Sequence, residues 1–189
     1  MADDKIPGLM QWRDHKSTDG GSTYCLKHLH PIEFDHELPA LKKRAAVTVK
    51  VHVAFSMHTF TRPIDGVAGD YYSDNRETRY FCEVRYKESH RLPEIVRGLP
   101  KGRPIFFSRT KSGLVNYATF DLGGGVVYAV FFAVMLYKSR GPNTVLLMVE
   151  SAYPFDEGHR DTKDGRVSFN VIIGHALRGT KPHPPPRAR

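Results

Sequence analysis

The sequence predicts an α+β domain: an antiparallel β-sheet of about five to six strands, two helices on one face, and flexible basic termini. Three observations predict it. Val47, Val49, Val51, Val53, Phe55 and Met57 alternate with Thr48, Lys50, His52, Ala54, Ser56 and His58, the period of two that marks a half-buried strand. Two runs, 126–137 and 145–149, are apolar on both faces and are joined by Ser139-Arg140-Gly141-Pro142-Asn143, the pattern of a hairpin at the centre of a sheet. Phe169, Val171, Ile172 and Leu177 make an apolar stripe that opens at Ser168 and closes before Gly179, so a final helix covers 168–178.

The remaining elements follow in chain order. Residues 1–23 carry Gly, Ser, Asp and Lys with little periodicity and read as a flexible arm, with Trp12 and Met10 as groups that could dock on the body. The domain proper spans 24–180. Residues 30–41 carry two prolines and hold a short strand or turn. The alternating strand covers 46–60, and 62–75, rich in Pro, Gly, Asp and Asn, is a long loop. A short strand covers 79–86, on which Arg79, Phe81, Glu83 and Arg85 share a face. A helix covers 88–97, capped by Ser89 and stopped by Gly98. Strands at 104–108 and 115–122 are separated by Lys111-Ser112-Gly113, and Gly123-Gly124-Gly125 makes the next tight connection. Pro154 ends the last strand, and 159–165 is a charged loop. The tail 181–189, KPHPPPRAR, is basic, and its prolines disfavour helix and sheet ladders.

Composition narrows the function classes. The chain has 189 residues, 28 Lys and Arg against 20 Asp and Glu, and a formal charge of +8. Such a surface attracts polyanions, of which nucleic acid is the commonest. It excludes an acidic mimic of DNA. Cys25 and Cys82 have no paired spacing, so reduced thiols in a cytoplasmic protein are expected. The first residues contain no apolar core of a secretion signal, and no apolar run is long enough to span a bilayer, so no membrane partner is expected.

No high-specificity catalytic motif is present: GxGxxG, GxxxxGK[ST], HExxH and GxSxG are all missing. The glycine run lies between strands, not before a helix, and so lacks the context of a phosphate loop. The ten histidines are dispersed, with His28 and His30 the one close pair, which predicts neither metal nor cofactor. Three stretches carry candidate chemistry. In Ser56-Met57-His58-Thr59-Phe60-Thr61-Arg62 a strand runs into a loop, where His58 can exchange protons near neutral pH and Arg62 can bind an anion. Around Arg76, Glu77, Arg79, Tyr80, Phe81, Arg85, Tyr86, Lys87 and His90, basic groups suited to phosphate alternate with rings suited to unpaired bases. A solvated face with Arg79 and Arg85 paired to Glu77 and Glu83 accounts for the same pattern. Third, in Glu150-Ser151-Ala152-Tyr153-Pro154, where a buried strand ends, Ser151 or Tyr153 emerges at the sheet edge. The expected catalytic set is His58, Arg79, Arg85 and Tyr153; the expected nucleic-acid-binding set is Arg62, Arg76, Tyr86, Lys87, His90 and Lys111.

The strings VHVAFSMHTFTR, RETRYFCEVRYKESHRLPEIVRGL, VYAVFFAVML, VESAYPFD and SFNVIIGHALRGTKPHPP resemble an uncharacterised family of bacterial and phage-borne proteins, over most of the chain from residue 46 onward. That resemblance implies no activity and transfers no catalytic residue. A weaker similarity, at the level of fold, is to the RelE-like small RNase toxins, in which a basic antiparallel sheet presents scattered Arg, Lys, His and Tyr. It implies a late strand running into a corner that Tyr153 would occupy. The functional expectation is therefore an RNA-directed protein of the toxin-like, metal-independent endoribonuclease type. The alternative is a non-catalytic module that binds nucleic acid or a protein partner in a phage or stress setting.

Overall fold

The computed structural model describes residues 8–41, 45–66, 69–110, 113–123, 126–155 and 165–182. Within them a seven-stranded mixed sheet is the scaffold. Its strands are β3 (Ile32–Leu38), β4 (Val47–Phe55), β8 (Ile105–Thr110), β9 (Gly113–Asp121), β10 (Val127–Leu136), β11 (Thr144–Phe155) and β12 (Arg166–Val167). The order is β12-β8-β9-β10-β11-β4-β3. Every neighbouring pair is antiparallel except β4 and β11, which run parallel. A three-stranded sheet has the order β5-β7-β6, from β5 (Thr61–Arg62), β6 (Tyr71–Ser73) and β7 (Thr78–Phe81), and β1 (His15–Lys16) pairs with β2 (Thr23–Tyr24). The helices are α1 (Glu83–Ser89), α2 (Leu92–Gly98) and α3 (Phe169–Leu177).

This corrects the expected fold class. The sheet is mixed and seven-stranded, not an antiparallel one of five to six strands, and the described residues hold three short helices, not two. The expectation rested on the tendency of consecutive strands to pair antiparallel, which governs hairpins such as β10–β11 but says nothing of strands far apart in sequence. β4 and β11 are such a pair, and their parallel register, Val51 beside Val145 through Phe55 beside Val149, buries both strands on two sides. That is why His52 and Ala54, on the polar side of the alternation, are buried along with Val51, Val53 and Phe55.

Other boundaries shift for local reasons. The strand expected over 79–86 ends at Phe81, and Glu83 and Arg85 lie on α1, so Arg79 and Arg85 do not share a strand face. The helix expected over 88–97 is two helices. Ser89 closes the first, its hydroxyl donating to Tyr86 O at 2.7 Å, and Pro93 sits in the first turn of α2, where a missing N–H costs nothing. Pro154 does not stop β11, which runs on to Phe155 with Pro154 opposite Tyr128. The expected loop over 62–75 contains β6. In α3 the buried residues are Phe169, Ile172, Ile173, Gly174 and Ala176, while Val171 is exposed. Lys111, residues 159–164 and all of the tail beyond Pro182 lie outside the described residues.

The N-terminal segment is a further correction. From Gly8 onward it does not form a free arm. Trp12 is only 6 % exposed, its Nε1 donates to Phe55 O at 2.9 Å, and its ring packs edge-on to Phe60 and Tyr72. Lone apolar residues without periodicity give no strand or helix signal, yet one large aromatic buries about 150–250 Å². The principal core lies on one side of the sheet, where Val49, Val51 and Val53 meet Tyr128, Val130, Phe132, Leu147 and Val149, and it is closed by Leu92, Val96, Phe169, Ile172 and Ile173. A second cluster on the other side joins Tyr117, Ala129 and Phe131 to Phe106 and Tyr153.

Candidate functional site

The site is built where β4 leaves the sheet. Phe55 is the last residue of β4 paired with β11, opposite Val149, and β11 bulges one residue later: Val149 faces Phe132 but Ser151 faces Phe131. The extra residue is Glu150, whose carbonyl accepts from Ser56 Oγ at 2.5 Å. The bulge reverses which side the following side chains take. Ala152 joins the principal core and Tyr153 the second cluster, stacked on Phe131 at 5.4 Å. Past Ser56 the chain makes a 3-10 turn, Met57–Thr59, with Ser56 Oγ accepting from His58 N at 3.1 Å. Met57 and Thr59 turn inward and His58 turns toward solvent.

Two arginines clamp that turn. Arg85 Nη1 donates to His58 O at 3.0 Å and to Thr61 O at 2.8 Å, and its guanidinium carbon lies 4.9 Å from the centre of the Tyr153 ring. Burial, the largest cause, pulls the Arg85 guanidinium below its ordinary pKa, and the neighbouring Arg79 charge pushes the same way. Arg79 Nε donates to Thr61 Oγ1 at 2.9 Å, and Thr61 Oγ1 donates on to Met57 O at 2.8 Å. Arg79 reaches this place because β5 and β6 flank β7, with Thr61 opposite Phe81 and Tyr72 opposite Arg79.

Glu77 joins the two halves. Asp74 Oδ1 accepts from the N–H groups of Arg76 and Glu77 at 2.8 and 2.9 Å, and this turn presents the Glu77 carboxylate to both His58 and Arg79. One oxygen lies 2.6 Å from His58 Nε2 and the other 3.5 Å from an Arg79 Nη1. His58 and Glu77 are partly open to solvent, while the Arg79 side chain is 13 % exposed. A carboxylate on Nε2 sets the tautomer and orientation of an imidazole. Arg79 and Arg85 stand against the carboxylates of Glu77 and the neighbouring Asp74. The cluster thus gathers an imidazole, two guanidiniums and two carboxylates, the residue types that serve proton transfer and contact with an anion.

All four residues of the expected catalytic set meet here, in different roles. His58 is partly open to solvent, and Arg79, only 13 % exposed, is linked to it through Glu77; Arg85 holds the turn, and Tyr153 lies against Arg85. Glu77 and Thr61 belong to the cluster and were not singled out in the sequence as site residues, since Glu77 had only the aspect of an ion-pair partner. The turn signal Asp74-Asn75 before Glu77 was the available clue. Of the expected binding set, none of the described members joins. Arg62 pairs with Asp65 at 2.7 Å and lies over the Tyr80 ring. Lys87 pairs with Glu83 at 3.4 Å, and Arg76 sits on the exposed turn. Tyr86 donates to Cys25 O at 3.3 Å and packs on Tyr24 and Phe81, and His90 stacks on His28 at 3.7 Å. Lys111 is outside the described residues.

Among the described residues no group of three or more His, Cys, Asp or Glu is placed to hold a metal ion, and no helix is long and apolar enough to cross a membrane. Cys25 and Cys82 are free thiols. No curated protein and no solved structure matches the chain, and the expected likeness to RelE-like toxins finds no support. The family model described as the YjaZ family matches residues 16–177, and with nearly the whole described fold inside that match the chain belongs to the YjaZ family.

Proposed function

We propose that this protein is RNA-directed and cleaves phosphodiester bonds without a metal ion at the cluster of His58, Glu77 and Arg79. The observation that carries the reading is the 2.6 Å contact between His58 Nε2 and Glu77, with Arg79 on the same carboxylate. The net charge of +8 supports a polyanionic substrate. In the reaction, neutral His58 takes the proton of a ribose 2′-hydroxyl as O2′ bonds to phosphorus. The P–O5′ bond breaks, and imidazolium returns the proton to the departing O5′. The products are a 2′,3′-cyclic phosphate and a free 5′-hydroxyl. Glu77 holds the imidazole and steadies its charged form. Arg79 binds the phosphorane, where charge accumulates. Arg85 and Tyr153 are positioning residues that act through the turn bearing His58.

The test is incubation of purified protein with RNA in excess chelator, followed by analysis of fragment ends. Cyclic phosphate ends are expected; His58→Ala should slow cleavage by about 100-fold or more, and Glu77→Gln by less. A substrate deoxygenated at the 2′ position should resist. RNA that stays intact with the wild-type chain sinks the catalytic reading.

A second reading, a non-catalytic module for nucleic acid or a protein partner, draws on one observation: Glu77 engages both His58 and Arg79, so each is already paired. It predicts binding weakened by salt, without turnover and indifferent to His58→Ala.

A further inference from the structure

A second place in the molecule has the build of a ligand site, away from the residues of the His58 cluster. Between α2 and the end of β9 lies a cleft of about 430 Å³. It is lined by Arg91, Glu94, Ile95, Lys101, Arg103 and Phe120, with Gly98, Asp121 and Leu122 completing it. The sequence places the cations there through one turn. Leu99–Lys101 form a 3-10 turn after α2, and Gly102 follows with φ 83°, a left-handed conformation that reverses the chain between Lys101 and Arg103.

The cations are differently engaged. Arg91 is tied to Glu88, Nε to Oε2 at 3.2 Å. Lys101 and Arg103 are exposed, and among the described residues neither forms an ion pair. Arg103 rests on the Phe120 ring, its guanidinium carbon 4.7 Å from the ring centre. That stacking steadies the side chain by its flat face and leaves the N–H groups on its edge for an oxyanion. Phe120 itself is only 5 % exposed, so the support is rigid. The rest of the floor is apolar: Ile95 and Leu122 are partly buried against the core. Glu94 stands on the wall as an acceptor, and Asp121 has one oxygen committed to Gly123 N at 2.7 Å.

The volume is that of a site for a small organic molecule and is far more than one inorganic anion needs. We propose that this cleft binds a nucleoside phosphate, with the phosphate on Arg103 and Lys101, the base against Ile95 and Leu122, and the sugar hydroxyls donating to Glu94. The same chemistry is offered by a free mononucleotide and by one nucleotide unit of an RNA strand. The site does not depend on catalysis at His58, and its test keeps the two apart.

Titration calorimetry on the His58→Ala protein, which removes cleavage as a complication, reads the site directly with adenosine 5′-monophosphate, adenosine, inorganic phosphate and a short single-stranded oligoribonucleotide. The monophosphate should bind at least tenfold tighter than adenosine or phosphate alone. Arg103→Ala and Lys101→Ala should each weaken it about tenfold, and both side chains are exposed, so the fold should persist. Gly98→Phe should abolish binding with every charge intact, because a Cβ at Gly98 meets no atom within 4 Å and the new ring would fill the cleft. If the oligoribonucleotide binds and the monophosphate does not, with the same dependence on Arg103, the ligand is a unit of the strand. Binding of either that is unchanged in Arg103→Ala and Gly98→Phe overturns the proposal. So does inorganic phosphate binding as tightly as the nucleotide, or no binding by any of the probes.

Discussion

At the scale of the residue, Arg85 shows how a candidate catalytic group becomes a structural one. Its guanidinium sits over the Tyr153 ring, and one nitrogen donates to two carbonyls that close the turn carrying His58. Removing it leaves His58 O and Thr61 O without a charged donor in a partly buried place, and such losses cost about 2–3 kcal/mol. Arg85→Ala should lower the urea midpoint by the equivalent of about that much. Arg85→Lys should recover only part of the loss, since one ammonium nitrogen can still donate to both carbonyls but does not stack flat on the Tyr153 ring. Substitution of Arg79 acts elsewhere: its Nε holds Thr61 Oγ1 while its Nη1 faces Glu77, so it couples the turn to the accessible side. An Arg85 variant that unfolds at the wild-type denaturant concentration would remove the positioning role assigned to it.

At the scale of the element, the site depends on two departures from regular geometry. The bulge at Glu150 turns Tyr153 away from the principal core and under Arg85. The parallel pairing of β4 with β11 ends at Phe55, where the chain turns and exposes His58. The N-terminal segment locks this corner from the other side, because Trp12 donates to the carbonyl of Phe55 and packs on Phe60. Trp12→Ala should therefore destabilise the protein by about 3–5 kcal/mol, the range for deleting a buried large aromatic. It should also increase hydrogen exchange in the turn around His58. Exchange there equal to wild type would mean that the segment and the site are independent.

At the scale of the whole molecule, burial of histidines links stability to pH. His28 is pushed down to about 4, first by burial and then by the facing charge of His90. His15 and His52 are also lowered, chiefly by burial, although Asp70 and Glu33 respectively pull each back up. A lowered folded pKa means that the unfolded chain binds more protons between the two values. The stability from these three groups is complete above about pH 6.5 and is lost as pH falls below it, for His28 down to about 4. Thermal unfolding should show a melting temperature that declines across that window, and His28→Gln should flatten the decline. A melting temperature constant from pH 7 to 4.5 would contradict it.

Much of the molecule was legible in the linear chain. The alternation at 47–57 marks β4, the two apolar runs mark the central hairpin of β10 and β11, and Ser168 and Gly179 bracket α3, because each signal is carried by neighbours within one element. The gathering of His58, Arg79, Arg85 and Tyr153 was not legible as geometry. The sequence puts Arg79 and Arg85 on one strand face, whereas the helix that begins at Glu83 separates them. The sequence by itself determined the basic charge, the apolar strands and the residue types available for proton transfer and anion binding. The tertiary structure alone decided the parallel join of β4 to β11, the docking of Trp12, the bulge that aims Tyr153 and the carboxylate that meets His58. Those depend on contacts between residues far apart in the chain, and local periodicity carries no information about such partners.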